Sequence, residues 1–423
     1  MSRTTSALRA AAAIGLAAGA APSLHVGGLS VASLRAHRCS IDTSTRFVIV
    51  VPAHEEEVGL GATLNSLATL AYPSDLHEVV VLADNCTDDT AGVARRHGVR
   101  VIERTNPDQR GKGQALNWAL PQLLADESVD AIVVVDADSI VDTNVLHHMS
   151  WHLRNGADAV QVDYKVRNPQ LSWRTRLLDV AFTAQHRTRS SGRTALGLSS
   201  GLHGNGMAFS RGTLEEVSYG AFSVVEDIEY GMMLGCAGRR VVACDATFVA
   251  GDMPATSTDA AVQRTRWEAG ATVVRRRHLR PLVSRSVRSR DPVAAGLAAD
   301  LVMPPLVNAV AMLGAASVLV VGRIRPWSAT MLLLGWGSIA GHVALAISRS
   351  DSPAKSIRAL IHVPTYVVWK LRLRGSSYWN EQRRGEGAWE RSNRSAAVTD
   401  TDTDTATKLS ATVGVGVAHE GVR

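Results

Sequence analysis

Residues 130–142 read DAIVVVDADSIVD. Ala131 to Val135 form an unbroken apolar, largely β-branched run, the pattern of a strand buried on both faces of a parallel sheet. The run stops on acid. Asp136 and Asp138 stand two apart where the chain leaves the strand, so both carboxylates can face the crevice outside its carboxyl end, where open α/β sheets bind ligands. Close carboxylates repel and raise one pKa unless a cation sits beside them; a hard divalent ion completed by phosphate oxygens is the natural partner. The plainer alternative is that Asp138 or Ser139 caps a helix entering at Val141.

Upstream, RFVIVV (Arg46 to Val51) predicts a strand ending at Pro52, followed by a helix from Val58 to Leu70. EVVVLAD (Glu78 to Asp84) predicts a second buried strand, and TDDTAGVARRHG a helix with acidic capping residues that closes on Gly98. VRVIER (Val99 to Arg104) is a third strand, and GKGQALNWAL opens another helix. Strand and helix alternate over about ninety residues, which indicates an α/β fold with a right-handed, mostly parallel sheet flanked by helices.

Downstream, Ala159 to Val166 reads as a strand and Trp173 to Arg189 as a polar helical region. Six glycines lie between Gly192 and Gly212, both included. That density fits either a loop admitting backbone close to a ligand or a plain surface loop. Glu226 and Asp227 begin a helix, and Val241 to Val249 resumes strand character.

The 423 residues leave room for two or three domains. Hydrophobic content of 46% with 5% aromatics fits an Ala/Val/Leu-rich α/β protein. The net charge of +6 is unevenly spread, with seven arginines from Arg275 to Arg290 that suit anionic lipid or phosphates. Nucleic acid is not expected as a partner, because no aromatic residue interleaves that run. Cys39, Cys86, Cys236 and Cys244 show no CxxC pair or metal spacing and read as reduced thiols of a cytoplasmic domain.

Val293 to Val321 is uncharged apart from Asp300, and Ala329 to Ile347 gives nineteen residues without a charge. Both have the length of a membrane-crossing helix, and the arginine flank favours that over burial in a soluble core. Pro304 and Pro305 kink the first, so a re-entrant hairpin competes with two crossings. Ile361 to Leu371, with Trp369 and Lys370, looks interfacial. Residues 7–34 are Ala/Gly-rich and suit a short membrane segment or a signal-like stretch, although Gly15, Gly19, Pro22, Gly27 and Gly28 weaken any helix. The tail from Ser395, with TDTDTDTAT, reads as disordered. The chain thus divides into an apolar segment (1–45), a catalytic domain (46–275), a basic flank (276–292), membrane or interfacial helices (293–375) and a tail (395–423).

Around one sheet stand Asp84, the pair Asp136 and Asp138, the pair Glu226 and Asp227, and QRTRW at Gln263 to Trp267. Lys112, between Gly111 and Gly113 at a helix start, adds a cation where backbone amides also favour phosphate. Each has a bland reading as turn residue, solvated lysine, cap or interfacial anchor, but the joint order is distinctive.

The chain resembles the family 2 glycosyltransferases of GT-A fold, particularly the membrane-bound branch of cellulose, chitin and hyaluronan synthases. The motifs are VPAHEEE (Val51 to Glu57), ADNCTDDT (Ala83 to Thr90), GKGQALN (Gly111 to Asn117), DADS (Asp136 to Ser139), VED (Val225 to Asp227) and QRTRW. The resemblance implies a GT-A-type sheet followed by membrane-associated helices, and a transfer from a nucleotide-sugar, most simply a UDP-sugar, in polysaccharide or cell-envelope biosynthesis. By it, Pro52 and Glu56 would bind the donor, Asp84 would hold its uracil or ribose, Lys112 the diphosphate end, Asp136 the nucleotide and Asp138 a Mg²⁺ or Mn²⁺ ion. Asp227 would be the general base, and Gln263 and Arg266 would line the diphosphate. Asn205, Glu226 and Trp267 would meet the acceptor. One base without a second carboxylate nucleophile implies inversion at the anomeric carbon. At a helix start Asp227 is expected to be ionised at neutral pH.

The acceptor implied is a glycan or a lipid-linked glycan, and the protein would sit in the cell membrane, in contact with its lipid, with the catalytic domain cytoplasmic. There are fewer apolar segments than in those synthases, so an export channel would be a partner protein. The loop at His203 to Gly206 reads HGNG where the cellulose enzymes hold a Cys-Gly pair, leaving acceptor identity open. A sugar-1-phosphate nucleotidyltransferase would need a Gly-rich, Arg-bearing signature after the first strand, and a dehydrogenase G-x-G-x-x-G; VPAHEEE supplies neither. The alternative of another class is a membrane-anchored nucleotide-sugar-binding protein without turnover.

Overall fold

The computed structural model describes residues 3–35, 39–320, 326–370 and 372. Its centre is an eight-stranded sheet: β1 (Phe47–Ala53), β2 (His77–Asp84), β3 (Arg100–Arg104), β4 (Ala131–Val134), β5 (Ser139–Val141), β6 (Ala159–Val166), β7 (Met207–Ser210) and β8 (Val241–Gly251). Their order is β3-β2-β1-β4-β7-β6-β8-β5. The first four run parallel, with Phe47 level with His77 on one side and Ala131 on the other. β7 is antiparallel to both β4 and β6, while β6 and β8 pair parallel across an irregularity at Val162/Asp163.

The β-branched runs are buried on both faces as expected of central parallel strands. Phe47, Ile49, Val51 and Val133 pack under the helix Leu60–Leu67, and Val48, Val50, Ile132 and Val134 pack under the helix Lys112–Leu123. The fold is thus the mixed α/β architecture predicted, with element ends shifted by a few residues. One shift matters. Ser139–Val141 is a strand pairing antiparallel with β8, and the next helix begins only at Val145. The reading of Asp138 or Ser139 as a helix cap is corrected accordingly. Trp173–Phe182 is α-helical as predicted, but Thr183–Arg189 is a π-helix.

The apolar segments depart further from expectation. Residues Arg3–Ala32 form one helix despite their glycines and Pro22. Ile14–Ala32 and Pro326–Ser348 are each long and apolar enough to cross a membrane. They pack with Leu306–Val320 around Leu16, Ala20, Leu313, Ala316 and Ile339. The glycines permit this: a Cβ on Gly19 would come within 2.7 Å of the Leu313 backbone nitrogen, and one on Gly27 within 2.6 Å of the Ser338 Cβ. Small residues at such crossings let helices approach closely, and tertiary packing overrides their poor helix propensity.

The stretch Val293 to Val321 is bent at Pro304 and Pro305, as expected. Pro292–Val302 and the helix after Pro305 meet at 65°. The first piece packs Ala294, Leu297 and Ala298 against Val225, Met232, Val274 and Leu282, from the helix Glu226–Ala237 with the residue before it and from the helix Ser257–Ser289. Its Asp300 is ion-paired with Arg189 and with the fully buried Arg193, whose Nη1 lies 2.7 Å away. An acid neutralised by two arginines of the sheet domain holds this piece to protein, so only the residues beyond the bend join the apolar bundle. QRTRW and most of the basic flank lie on a single helix, Ser257–Ser289, and the boundary read at 275/276 falls inside it. The tail from Ser395 lies outside the described residues.

Candidate functional site

The loops after β1 and β2 are tied to each other by the acidic residues of VPAHEEE. Glu55, at φ 56°, accepts from the Thr87 backbone N–H at 2.7 Å; the Glu56 N–H donates to Thr90 Oγ1 at 2.8 Å; and Glu57 accepts from the Asp89 N–H at 3.0 Å. Asp84, at the end of β2, is buried and accepts from Arg104 Nη1 at 2.5 Å and from Asn85 Nδ2 at 3.0 Å. The carboxylate expected at the nucleoside is therefore oriented by an arginine from the end of β3, a partner the sequence reading did not name. Pro52 lies near the end of β1, level with Leu82.

The DADS turn is pinned from two sides. Thr63 donates to the Ala137 carbonyl at 2.7 Å and accepts from the Ser139 N–H at 3.0 Å. Asn205, 0% exposed, accepts from the Asp136 N–H at 3.1 Å and donates to Ser139 Oγ at 2.7 Å. The side chain expected to meet the acceptor is instead spent on holding the acidic turn. The loop carrying it is held by Gln161, 1% exposed, which donates to the Asn205 carbonyl at 2.8 Å and accepts from the His203 N–H at 2.8 Å. Gly201, Gly204 and Gly206 have φ values of 85°, 82° and 68°, so this is a tightly wound wall of the crevice and not a plain surface loop.

Lys112, at the start of its helix, donates to Asp136 Oδ1 at 2.6 Å and to the Gly204 carbonyl, with Glu226 Oε1 at 3.7 Å. Burial works against its charge, but Asp136, Glu226 and Asp227 outweigh it and hold the ammonium above its ordinary range. Gly113 is what lets this helix approach: a Cβ there would meet the Ala221 carbonyl oxygen at 2.0 Å and the Glu226 Cβ at 3.2 Å. Glu226 and Asp227 open the helix Glu226–Ala237 and face the same crevice, Asp227 against Gly204. The expectation that Asp227 is fully ionised at neutral pH is corrected: burial, and then the charge of Glu226, push it up to about 7 despite the helix start. Burial also raises Glu226, even against Lys112 and Arg266.

Arg266 Nε is buried and without a hydrogen-bond partner among the described residues. Gln263 and Trp267 line a cleft with Arg174, Pro254, Tyr366 and Trp369. Trp267 also packs against Phe182, ring centroids 6.4 Å apart. The π-helix brings His186 between Tyr164 and His203, stacked at 5.8 and 4.1 Å. Burial lowers the pKa of both histidines, His186 to about 4, so they are neutral floor groups. Of these the sequence reading missed Thr63, Arg104, Gln161 and His186. Gln161 carried a usable signal, as a lone amide in an otherwise apolar stretch of strand. The carboxylates at the DADS turn offer oxygen ligands only, a set that suits Mg²⁺ or Mn²⁺.

A family model described as "Glycosyltransferase like family 2" matches residues 45–270. The chain is 26% identical over 229 residues to the "Probable glycosyltransferase YdaM" of Bacillus subtilis, covering 52% of this chain and 54% of that protein. It is 32% identical over 205 residues to the "Beta-monoglucosyldiacylglycerol synthase" of Nostoc sp., covering 45% and 42%. The chain thus spans about half the length of these curated relatives. Among solved structures, the mannosyltransferase PcManGT from Pyrobaculum calidifontis, in complex with GDP-Man and Mn²⁺, superposes with a TM-score of 0.52 at 18% identity, covering 81% of this chain and 98% of that one. That likeness is one of fold.

Proposed function

The chain belongs to glycosyltransferase-like family 2, and from that premise we propose that it moves a sugar from a nucleotide-sugar, in the first instance a UDP-sugar, to an acceptor at a membrane surface, with inversion. The observation that carries this reading is the convergence on one crevice of Lys112, Asp136, Glu226 and Asp227, walled by Gly204. Pro52, Glu56 and Asp84 take the nucleoside end of the donor. Lys112 and Arg266 face the diphosphate and offset the charge that develops as the glycosidic bond breaks. A Mg²⁺ or Mn²⁺ ion at Asp138, beside Asp136, would add to that neutralisation as a Lewis acid. Asp227, poised near neutral pH, takes the proton of the attacking hydroxyl from the opposite side. Asn205 serves as a positioning residue for the acidic turn.

The acceptor side is the cleft between Gln263, Trp267, Arg174, Tyr366 and Trp369. Its aromatic lining adjoins the interfacial segment, and Lys370 is tied back to Glu268 at 3.3 Å. This supports a lipid or lipid-linked acceptor, in line with the diacylglycerol named in the Nostoc relative. A glycan acceptor in polysaccharide or cell-envelope biosynthesis, as in the QRTRW-bearing synthases, is the second reading, and an export channel would then be a separate partner. The exposed arginines between Arg275 and Arg290 support a cytoplasmic catalytic domain at the cell membrane.

The test is nucleotide release by the full chain in detergent, with Mn²⁺, from a panel of UDP-, GDP- and dTDP-sugars, with and without diacylglycerol vesicles or short glycans. Release from one donor class, stimulated by one acceptor, is expected. Saturable UDP binding without release from any donor would leave the non-catalytic binding protein as the reading.

A further inference from the structure

The four cysteines are all free, and two of them meet far along the chain from each other. Cys39 precedes β1 and Cys244 lies in β8, yet their Sγ atoms are 3.7 Å apart. His152 Nε2, from the helix Val145–Arg154, lies 3.7 Å from Cys39 Sγ. All three ligand atoms fall within 4.8 Å of one another. A tetrahedral zinc ion, at ordinary Zn–S and Zn–N lengths, sets sulfur–sulfur edges of about 3.8 Å and sulfur–nitrogen edges of about 3.6 Å. A disulfide would require about 2.05 Å and would have no use for an imidazole. We propose that Cys39, His152 and Cys244 form a structural metal site for Zn²⁺ that clamps the segment leaving the N-terminal apolar helix onto the catalytic domain.

Two thiolates and an imidazole are the donor set zinc selects. Cys244 and His152 are 2% and 8% exposed, while Cys39 is half-buried, so the ion would sit at the edge of the core. His148, one turn before His152 on the same helix, has Nδ1 3.2 Å from Cys39 Sγ but is bonded to the Ser40 carbonyl at 3.1 Å and is not one of the three ligands, so the fourth position would fall to water. Binding releases the two thiol protons to solvent as the two Zn–S bonds form, with no change of oxidation state.

The surroundings show what the ion would do. Residues 40–46 already run along the helix Val145–Arg154: the Asp42 N–H donates to the His147 carbonyl at 3.2 Å, Ser150 Oγ to Thr45 Oγ1 at 2.7 Å, and Arg154 Nε to Ser44 Oγ at 2.9 Å. These are polar contacts, buried between Ser150 and Thr45 and exposed at Arg154 and Ser44. A metal bridging linker, helix and β8 converts them into a fixed attachment beside the chain's entry from the apolar bundle. None of its ligands takes part in the nucleotide crevice, and the inference does not rest on glycosyl transfer.

The experiment uses the full chain purified in detergent. Metal analysis should find about one zinc per chain, and Co²⁺ reconstitution should give a thiolate-to-metal charge-transfer band with tetrahedral ligand-field bands. Cys39→Ser and Cys244→Ser should each cut bound metal at least about tenfold, while Asp138→Asn should leave the thiolate band intact, which separates this site from the crevice. In unmutated protein, Zn²⁺ should slow maleimide labelling of Cys39, and a chelator should restore it; this arm stands even where a variant fails to fold. Absence of the thiolate band with labelling indifferent to Zn²⁺, or a Cys39–Cys244 disulfide in mass spectra of the unreduced protein, would overturn the proposal.

Discussion

Strands β3, β2, β1 and β4 run parallel and end in loops whose charges are settled in pairs, Asp84 with Arg104 and Asp136 with Lys112. Across the crevice, the wall built on β6, β7 and the helix Glu226–Ala237 leaves charge unsettled. Glu226 and Asp227 are adjacent, half-buried and raised, and Arg266 Nε is buried without a partner among the described residues. The first side presents paired charges; the second holds a carboxyl raised to about 7. A transferase needs both, and here they fall on opposite halves of one sheet.

The largest effect should come from the side with settled charge. Asp138→Asn, or excess EDTA on the unmutated protein, should lower turnover by roughly 10³-fold if an ion at the DADS turn supplies several kcal/mol of charge stabilisation. Added Mn²⁺ should rescue the chelated protein but not the variant. Full turnover in EDTA would erase the distinction between the two sides.

Next is the proton-active side. Asp227→Asn should cost at least about 10² in turnover, the scale of a general base. The unmutated protein should gain kcat/KM as pH rises through about 7, and the variant should lack that limb. Stability should respond in the opposite sense. Asp227 is raised on folding from 3.8 to about 7, so its contribution to stability is lost as pH rises from about 3.8 to about 7 and the full cost is present above that. Asp227→Asn should therefore melt above the unmutated protein at about pH 8, with the difference vanishing on acidification. Equal melting across that range would mean that solvent or a bound cation keeps the carboxylate ionised.

The two sides also differed in how plainly the sequence announced them. Asp84, Asp136 and Asp138 end apolar runs, so strand periodicity and the geometry of parallel sheets placed them without knowledge of any partner. What holds them does not show locally. Thr63 reaches the DADS turn from a helix 74 residues before Ala137, and Arg104 looks like any polar residue ending a strand. The ionisation of Asp227 was misjudged because the helix-start argument counts nearby amides but cannot count burial. Composition likewise could not tell helix Pro292–Val302, whose apolar face meets the catalytic domain, from one facing lipid. Asp300 was the clue, and its arginine partners lie more than a hundred residues away.

Asn205 joins the two sides, and its replacement should have an intermediate effect. Asn205→Ala removes its two hydrogen bonds to the turn bearing Asp136 and Ser139, leaving those from Thr63. Supporting residues of this kind typically contribute 10–100-fold in metal affinity or activity. The loss should appear as a raised Mn²⁺ requirement with turnover largely recovered at saturating metal. A loss that no Mn²⁺ concentration restores would move Asn205 from positioning the turn to contacting substrate.

The smallest effects should lie in the apolar bundle, where polar contacts are few and close packing carries the association. Gly27→Leu places a side chain where a Cβ alone would meet the Ser338 Cβ at 2.6 Å, and should cost about 1–3 kcal/mol as overpacked sites do. Ser30 Oγ lies 2.8 Å from His342 Nδ1, linking the same two helices. Its hydroxyl also stands 2.9 Å from the Val26 carbonyl, so the single proton serves one acceptor while His342 can donate to the oxygen. In lipid, hydrogen bonds between helices average about 0.6 kcal/mol, because the separated helices find other partners. Ser30→Ala should therefore lower stability in detergent or bicelles by well under 1 kcal/mol, less than Gly27→Leu. Should Ser30→Ala prove the more damaging of the two, the bundle is held by its polar bridge rather than by close approach of small residues, and the contrast with the charge-bearing sheet would fail at this point.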